Sequence, residues 1–292
     1  MKLHNCLILF FIALFSSSCE KVIPVKLDEG TSQLTVDAFI DSDVKPQKIR
    51  LTTTGGYFDN VPNKYVTGAI VKITDNEGRI FNFSESATKG DYIWNPLITD
   101  TLVKIFNTYT LSVTTAGEHF QALSVAYPVP KIDSVTYLAK VASSGINKGK
   151  VEYTGSFYAT DIVGMPNFYW VKSYNNNTFY DKPENLNLSQ DGAFAGGGTD
   201  GLLFISPIRE AIIPRENKIK MNDSITVNLY ALTPETYNFL NELFSQTTNS
   251  GLFATPPSNV STNIRNVNPN STTKAIGWFN VGQIKTNGVR IK

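Results

Sequence analysis

The sequence predicts a mainly β protein with one short α-helix, and three observations support this prediction. Apolar and polar residues alternate over short runs, as in Leu34, Val36, Ala38 and Ile40. Turn-forming residues separate these runs, typically about every 10 to 15 residues. Only one longer segment has apolar residues at helical spacing. This pattern is typical of antiparallel sandwiches, so we expect an N-terminal β-sandwich followed by a second β-rich domain.

Residues 1–18 have the pattern of an export signal. Lys2 lies in a short polar stretch, and the apolar run over residues 7–15 is far shorter than the about 20 residues that a transmembrane helix needs. A short serine run then precedes Cys19, which resembles the lipobox of bacterial lipoproteins. We therefore predict a lipoprotein signal peptide over residues 1–18 and a lipid anchor on Cys19. The alternative is an ordinary secretory signal followed by an incidental cysteine.

The next segments are a tether and the predicted sandwich. Residues 19–32 are polar and predict a lipid-anchored tether, which would reach about 40 Å at roughly 3.3 Å per residue. Residues 33–126 carry the alternating runs of the predicted β-sandwich. Within them, residues 75–78 predict a hairpin turn, because Asn and Gly tolerate positive φ angles.

A proline-rich segment at residues 127–130 separates this sandwich from the second domain. Proline cannot donate a hydrogen bond to a β-ladder, so we place the domain boundary there and assign residues 131–292 to the second β-rich domain. Residues 175–201 are rich in Asn and Gly and predict a long loop. The Thr-Pro pair at residues 233–234 is a helix start signal, which predicts a helix near residues 234–247.

Charge balance and the scarcity of histidine exclude several classes of function. The chain has 26 Lys and Arg residues against 25 Asp and Glu residues, whereas nucleic-acid binding needs a basic excess. Beyond the signal, His119 is the only histidine, so zinc sites and Ser-His or Cys-His nucleophile pairs lack their usual residues. The glycine run at residues 196–201 lacks the Lys-Ser/Thr of a phosphate-binding loop. We expect no enzymatic activity, no cofactor, no metal and no nucleic-acid partner.

Several segments, in their order along the chain, resemble one family of lipoproteins. They are the lipobox, GAIVKITDNEGRIFNFSE, YTLSV, VPKIDSV, NDSITVNLYALTPETYNFLNEL and IGWF, which extend from about Cys19 to Phe279. Together they are similar to the Bacteroidota family catalogued as domain of unknown function 4249. The resemblance implies an outer-membrane lipoprotein with an N-terminal immunoglobulin-like β-sandwich over residues 33–126 and a second β-rich domain, often encoded near TonB-dependent receptors of the SusC type. It transfers no catalytic residue, and residues 275–279 depart from the family's glycine-rich GlGYF element.

Four aromatic residues are the candidate residues for binding a ligand or a partner. Trp170 and Tyr174 lie on a predicted strand, and Phe179 and Tyr180 lie at the start of the predicted loop. Aromatic side chains of this kind stack on sugars or anchor a partner loop. The alternative is that one side of the strand, which alternates its side chains, packs in the core.

An Asp-Ser/Thr-aliphatic pattern occurs at Thr101, Ser134 and Ser224. It is similar to the O-glycosylation signal used on exported Bacteroidota proteins, so these residues are candidate glycosylation sites. Chance matches in a chain rich in Ser and Thr are the alternative.

These features favour a non-enzymatic protein, anchored in the outer membrane by lipid on Cys19 and facing the cell surface. We expect it to act as an accessory or binding subunit beside a TonB-dependent β-barrel partner. A free-standing surface lipoprotein that binds glycan or peptide through residues 168–180 is the alternative. A hydrolase of an unfamiliar type is a third hypothesis.

Overall fold

Sixteen strands, one α-helix and one 3-10 helix make up the regular structure of the described residues. The computed structural model describes residues 31–56, 64–97, 100–145, 148–193, 197–210, 212–213, 219–249, 256 and 258–292. In chain order the elements are β1 (Leu34–Asp41), β2 (Gln47–Thr53), β3 (Ile70–Asp75), β4 (Ile80–Glu85), β5 (Asp91–Trp94), β6 (Thr108–Thr115), β7 (Glu118–Val125), β8 (Ile132–Val141), β9 (Val151–Ala159), β10 (Phe168–Asn175), β11 (Thr178–Phe179), a 3-10 helix (Pro183–Asn185), β12 (Leu188–Gln190), β13 (Ser224–Leu232), α1 (Pro234–Thr248), β14 (Arg265–Asn266), β15 (Ala275–Gly282) and β16 (Ile284–Arg290). The prediction of a mainly β protein with one helix is confirmed.

A nine-stranded sheet contains the N-terminal strands. Its hydrogen-bonded order is β14-β7-β6-β3-β4-β5-β2-β1-β15. The pair β1 and β15 is parallel, with Leu34 opposite Ala275. The sheet curls back on itself, because the Val281 amide of β15 donates to the Ser124 hydroxyl of β7 at 2.9 Å. All nine strands share one order, so the immunoglobulin-like arrangement of two separate sheets is not confirmed.

Alternating side chains give β1 one buried face and one outer face. Leu34, Val36, Ala38 and Ile40 are buried in the first core, which the curled sheet encloses. Burying an aliphatic side chain of this size stabilises a fold by about 1.5–3 kcal/mol. Phe39 lies on the other face and is half-buried there. The predicted hairpin turn is also present, since β3 and β4 pair antiparallel on either side of it.

A smaller sheet and a hairpin surround the second core. The sheet has the order β11-β10-β13-β16, with β12 also paired to β10, and β8 pairs with β9 as a separate hairpin. Tyr169 and Val171 of β10, Val227 and Leu229 of β13, and Phe157 of β9 are all buried in this core.

The long loop predicted over residues 175–201 is wrong in part. This segment contains β11, the 3-10 helix and β12, and β12 pairs with β10 from Phe168 opposite Gln190 to Trp170 opposite Leu188. Pairing at a sheet edge uses backbone groups, so it does not require the alternating apolar pattern on which the prediction depended.

Helix α1 begins where the sequence predicts. The Thr233 hydroxyl accepts a hydrogen bond from the Thr236 amide at 3.1 Å, which caps the first turn, and Pro234 occupies the first helical position. Phe239 on the buried side of α1 stacks on Trp278 of β15 with ring centroids 4.5 Å apart. No helix among the described residues is long and apolar enough to cross a membrane.

The two sheets meet at the C-terminal end of β1. The Tyr230 hydroxyl of β13 donates to the Ile40 carbonyl of β1 at 2.8 Å. The described residues of Ser32–Gly55 and Asn60–Lys292 belong to one compact unit. The C-terminal strands β14 and β15 complete the first sheet. The predicted domain limits at residues 126 and 131 stay a prediction.

Candidate functional site: an aromatic row around Lys172

Strand β10 presents two chemically different faces. Tyr169 and Val171 point into the second core and are buried. Trp170, Lys172 and Tyr174 alternate with them on the other face, where each is half-buried. Because successive side chains of a strand point to opposite faces, Lys172 lies between Trp170 and Tyr174 on one partly exposed surface.

Four half-buried rings form a continuous row on this surface. Phe39 of β1 packs edge-on against Trp170 with centroids 5.7 Å apart, Trp170 contacts Phe179 of β11 at 6.2 Å, and Phe179 contacts Tyr174 at 5.2 Å. Tilted and edge-to-face pairs at these distances are favourable and hold the rings in place. We call Phe39, Trp170, Phe179 and Tyr174 the aromatic row.

Lys172 lies beside the aromatic row with its amine over aromatic faces. Its Nζ is 3.9 Å from the centroid of Trp170, 4.6 Å from that of Tyr230 and 6.0 Å from that of Phe39. These distances are within the range of cation–π attraction, which offsets part of the cost of removing the amine from water. Tyr230 lies opposite Trp170 on β13, so the β10–β13 register builds this cage.

The charged form of Lys172 is disfavoured in the fold. Burial lowers the pKa of Lys172 to about 8, and the positive charge of Lys45 adds to this effect while Asp41 and Asp37 oppose it. No carboxylate of the described residues forms an ion pair with Lys172. The nearby Asp41 instead contacts Lys45 at 2.7 Å. An acidic group on a bound molecule could therefore form the ion pair that Lys172 does not make with any described carboxylate.

Charged residues of β1, β2 and β5 border the row. The Arg50 guanidinium donates to both oxygens of Asp91 at 2.6 and 3.0 Å, and this bidentate contact holds the pKa of Asp91 below its usual range. Partial desolvation raises the pKa of Asp37, although Lys48, Lys172 and Arg50 oppose the shift. The border therefore carries both signs of charge around an aromatic centre.

The structure brings together three of the four aromatic residues that the sequence predicts. Trp170, Tyr174 and Phe179 belong to the aromatic row. Tyr180 packs instead against the second core, on the other side of the sheet. The sequence reasoning missed Phe39 and Lys172. Two signals were present: Phe39 is the one large apolar residue on the polar face of β1, and Lys172 is two positions from each candidate of β10.

The other predicted site residues lie apart from the row. Cys19 lies outside the described residues. Thr101 is exposed in the segment before β6, whereas Ser134 and Ser224 are half-buried in β8 and β13. The exposed hydroxyl of Thr101 gives it the best access for a modifying enzyme. O-glycosylation at these residues stays a prediction.

The late element at residues 275–279 has a structural role. Gly277 has φ +99°, and a Cβ atom there would lie 1.9 Å from the Val36 carbonyl oxygen, so only glycine allows β15 to approach β1. Trp278 is buried and donates from its indole nitrogen to the Thr236 hydroxyl at 2.7 Å. Phe279 is buried in the first core.

Comparison with known families settles the membership that the sequence suggested. A family described as "Domain of unknown function (DUF4249)" matches residues 20–287, nearly the whole chain. The chain belongs to the DUF4249 family. A comparison with curated proteins finds no match. The description of the DUF4249 family names no activity, so a function has to be argued from the site itself.

Proposed function

We propose that this DUF4249 protein is a lipid-anchored outer-membrane protein that acts as a non-enzymatic accessory or binding subunit of a TonB-dependent complex of the SusC type. The observation that carries the proposal is the aromatic row with Lys172 beside it. The export signal and the lipobox pattern ending at Cys19 support the lipid anchor, and the association of the DUF4249 family with surface lipoproteins supports the orientation toward the cell surface.

The aromatic row has the physical properties of a binding surface. Half-buried rings offer large apolar area while losing little conformational entropy on binding, because their neighbours already fix them. Binding energy in protein interfaces concentrates on such aromatic anchors. Here Trp170 is fixed from both sides, by Phe39 of the first sheet and Phe179 of the second.

Lys172 adds electrostatic selectivity to this surface. A carboxylate brought beside its Nζ would be partly shielded from water by Trp170 and Tyr230, which strengthens their attraction. A loop or cargo with an apolar or planar face and an acidic group would satisfy both the rings and the amine. The mechanism is complementarity of shape and charge, without a chemical step.

Co-purification from native membranes tests the proposal. An affinity tag is inserted in the exposed turn at Ala116–Gly117 between β6 and β7, where a Cβ on Gly117 meets no neighbour. After extraction in mild detergent, we expect a β-barrel protein at about one copy per copy of this chain. Cys19→Ala serves as the control, because loss of the anchor should remove the partner. Elution of the wild-type protein alone, even after gentle crosslinking, contradicts the proposal.

The alternative is a free-standing surface lipoprotein that binds glycan or peptide, and the central position of Trp170 in the row favours it. Titration with polysaccharides should then change the tryptophan fluorescence of the wild-type protein. Trp94 and Trp278 lie outside the row, so Trp170→Phe identifies the responding residue. An unchanged wild-type signal, or a signal that persists in Trp170→Phe, rules out glycan binding by the row.

A further inference from the structure

The hairpin of β8 and β9 extends beyond the core to which it belongs. Val135 and Phe157 face each other near its base and are buried. Farther out, Val141 lies opposite Val151, and their exposed fractions are 65% and 51%. Leu138 is 52% exposed on the opposite face. We call residues 138–141 and 148–152 the hairpin tip.

An apolar strip runs from the second core onto the hairpin tip. Tyr137 and Tyr153 contact each other edge-on with centroids 6.0 Å apart, and both pack against the core. Strand alternation places Ala139, Val141 and Val151 on the same face as these tyrosines. The strip is covered at its base and open at its tip, as in an interface whose other half belongs to another molecule.

Positive charge is concentrated around this tip. Lys140, Lys148 and Lys150 are exposed, and Glu152, the one carboxylate within the tip, lies opposite Lys140, so the tip carries a net charge of +2. The Tyr137 hydroxyl donates to the Lys292 carbonyl at 3.0 Å, which brings another lysine to the base of the tip. The whole chain has a net charge of only +1, so this cluster is a local feature.

The hairpin tip lies at the end of the unit remote from the entry of the chain into β1. Strand β1 begins at Leu34 and runs toward Ser42. The Ser42 hydroxyl accepts a hydrogen bond from the amide of Ile284, the first residue of β16. Only Gln283 separates β15 from β16, so β16 continues away from the first sheet. Just after β16, the Lys292 amide donates to the Tyr137 hydroxyl at 3.2 Å. The tip extends beyond Tyr137 by another four residues, about 13 Å.

We propose that the hairpin tip is a second docking surface, apart from the aromatic row, for a protein partner whose contact face combines apolar side chains with Asp or Glu. The apolar strip would give the contact its area, and the three tip lysines would give it charge complementarity and register. A protein is favoured over a lipid surface because the tip is remote from the residues that lead to the membrane anchor. This inference rests on the proposed function, in which such a partner is present in the same membrane.

Carbodiimide crosslinking in native membranes tests this surface, because it joins a lysine amine to a carboxylate only in direct contact. The tagged full-length protein is treated, purified under denaturing conditions and digested, and crosslinked peptides are mapped by mass spectrometry. We expect adducts from Lys148 or Lys150 to Asp or Glu of a second polypeptide. Val141→Ser with Val151→Ser should lower their yield about tenfold, since the apolar contact is lost while the lysines remain.

Val163→Ser is the matched control, because Val163 is 75% exposed and lies outside the hairpin. It should leave the adducts unchanged. The proposal is overturned if the tip lysines give no adduct to another polypeptide, or if the double variant gives the same yield as the control. A barrel that co-purifies without tip adducts would remove this inference and leave the proposed function standing. Tip adducts to a protein that is not a β-barrel would support this inference and contradict the proposed function.

Discussion

At the scale of single residues, burial disfavours the charged form of Lys172, while contacts with aromatic rings favour it. The amine has cation–π contacts with Trp170 and Tyr230, whereas burial lowers its pKa to about 8. Residues that cost stability without an internal partner are often retained for a ligand. This property makes Lys172 the most informative residue of the row.

Replacement of Lys172 should change how stability depends on pH. Its folded-state pKa of about 8 lies below the ordinary value of 10.5, so protonation opposes folding. The penalty is complete below pH 8, and stability rises as pH increases from 8 to 10.5. Lys172→Met should therefore be more stable than wild type at pH 7, by on the order of 2–3 kcal/mol, and the difference should vanish near pH 10.5.

Urea denaturation of both proteins at pH 7, 9 and 10.5 measures this difference. Lys89→Met, at an exposed position, is the control and should follow the wild type at every pH. A constant difference between Lys172→Met and wild type across this range would mean that the amine is not destabilised by the fold.

Gly277 gives a second prediction at this scale, because two glycines with similar backbone angles differ only in their surroundings. Gly277→Ala would bring a Cβ atom to 1.9 Å from the Val36 oxygen, whereas at Gly117, with φ +78°, nothing lies within 4 Å. We expect Gly117→Ala to cost about 1–2 kcal/mol from the backbone angle alone. Gly277→Ala should cost well over about 3 kcal/mol or prevent folding. Equal thermal stabilities of the two variants would contradict the parallel pairing of β1 with β15.

At the scale of elements, a buried polar network joins α1, β13 and β15. The Asn280 amide donates to the Tyr230 hydroxyl at 2.9 Å and to the Ala231 carbonyl at 3.1 Å. Its oxygen accepts from the Thr236 hydroxyl at 2.8 Å and from the Thr233 amide at 3.2 Å. One side chain thus satisfies four groups from which water is excluded, and the row depends on it because Tyr230 also forms the cage of Lys172.

Removal of this hub should be costly. Asn280→Ala leaves several buried donors and acceptors without partners, and each costs about 1–3 kcal/mol, so we expect a loss of at least about 3 kcal/mol in the free energy of unfolding. Asn238→Ala, on the exposed side of α1, should change it by less than about 0.5 kcal/mol. Denaturant titration of both variants gives the comparison. A loss below 1 kcal/mol for Asn280→Ala would show that the network is not formed as described.

Local sequence patterns predicted individual strands and the helix, but they could not predict which strands pair when these are distant in the sequence. The alternation in β1 and the Thr-Pro start of α1 were readable because period and capping are properties of neighbouring residues. The parallel partner of β1 was not readable, since no local period reports that residues 34–41 meet residues 275–282. The same limit applies to the site. Trp170, Tyr174 and Phe179 were predicted from one stretch of chain, whereas Phe39 joins them from another sheet.

At the scale of the whole molecule, we propose two surfaces for contact with other molecules. The aromatic row lies where the first sheet meets the second, and the hairpin tip lies beyond the far end of β16. The chain is nearly neutral, so its long-range field gives little steering. Recognition should instead depend on these local patches, one aromatic with a single lysine and one aliphatic with three.

The central claim is that the aromatic row is the surface by which this protein holds its partner, and partner retention by row variants tests it most directly. The tagged protein is purified from native membranes as wild type, as Tyr174→Ser with Phe179→Ser, and as Tyr65→Ser, an exposed tyrosine outside the row. We predict that the row variant retains at least about tenfold less partner per copy, while Tyr65→Ser matches the wild type. Equal retention by all three proteins, with the row variant still folded, would contradict the account.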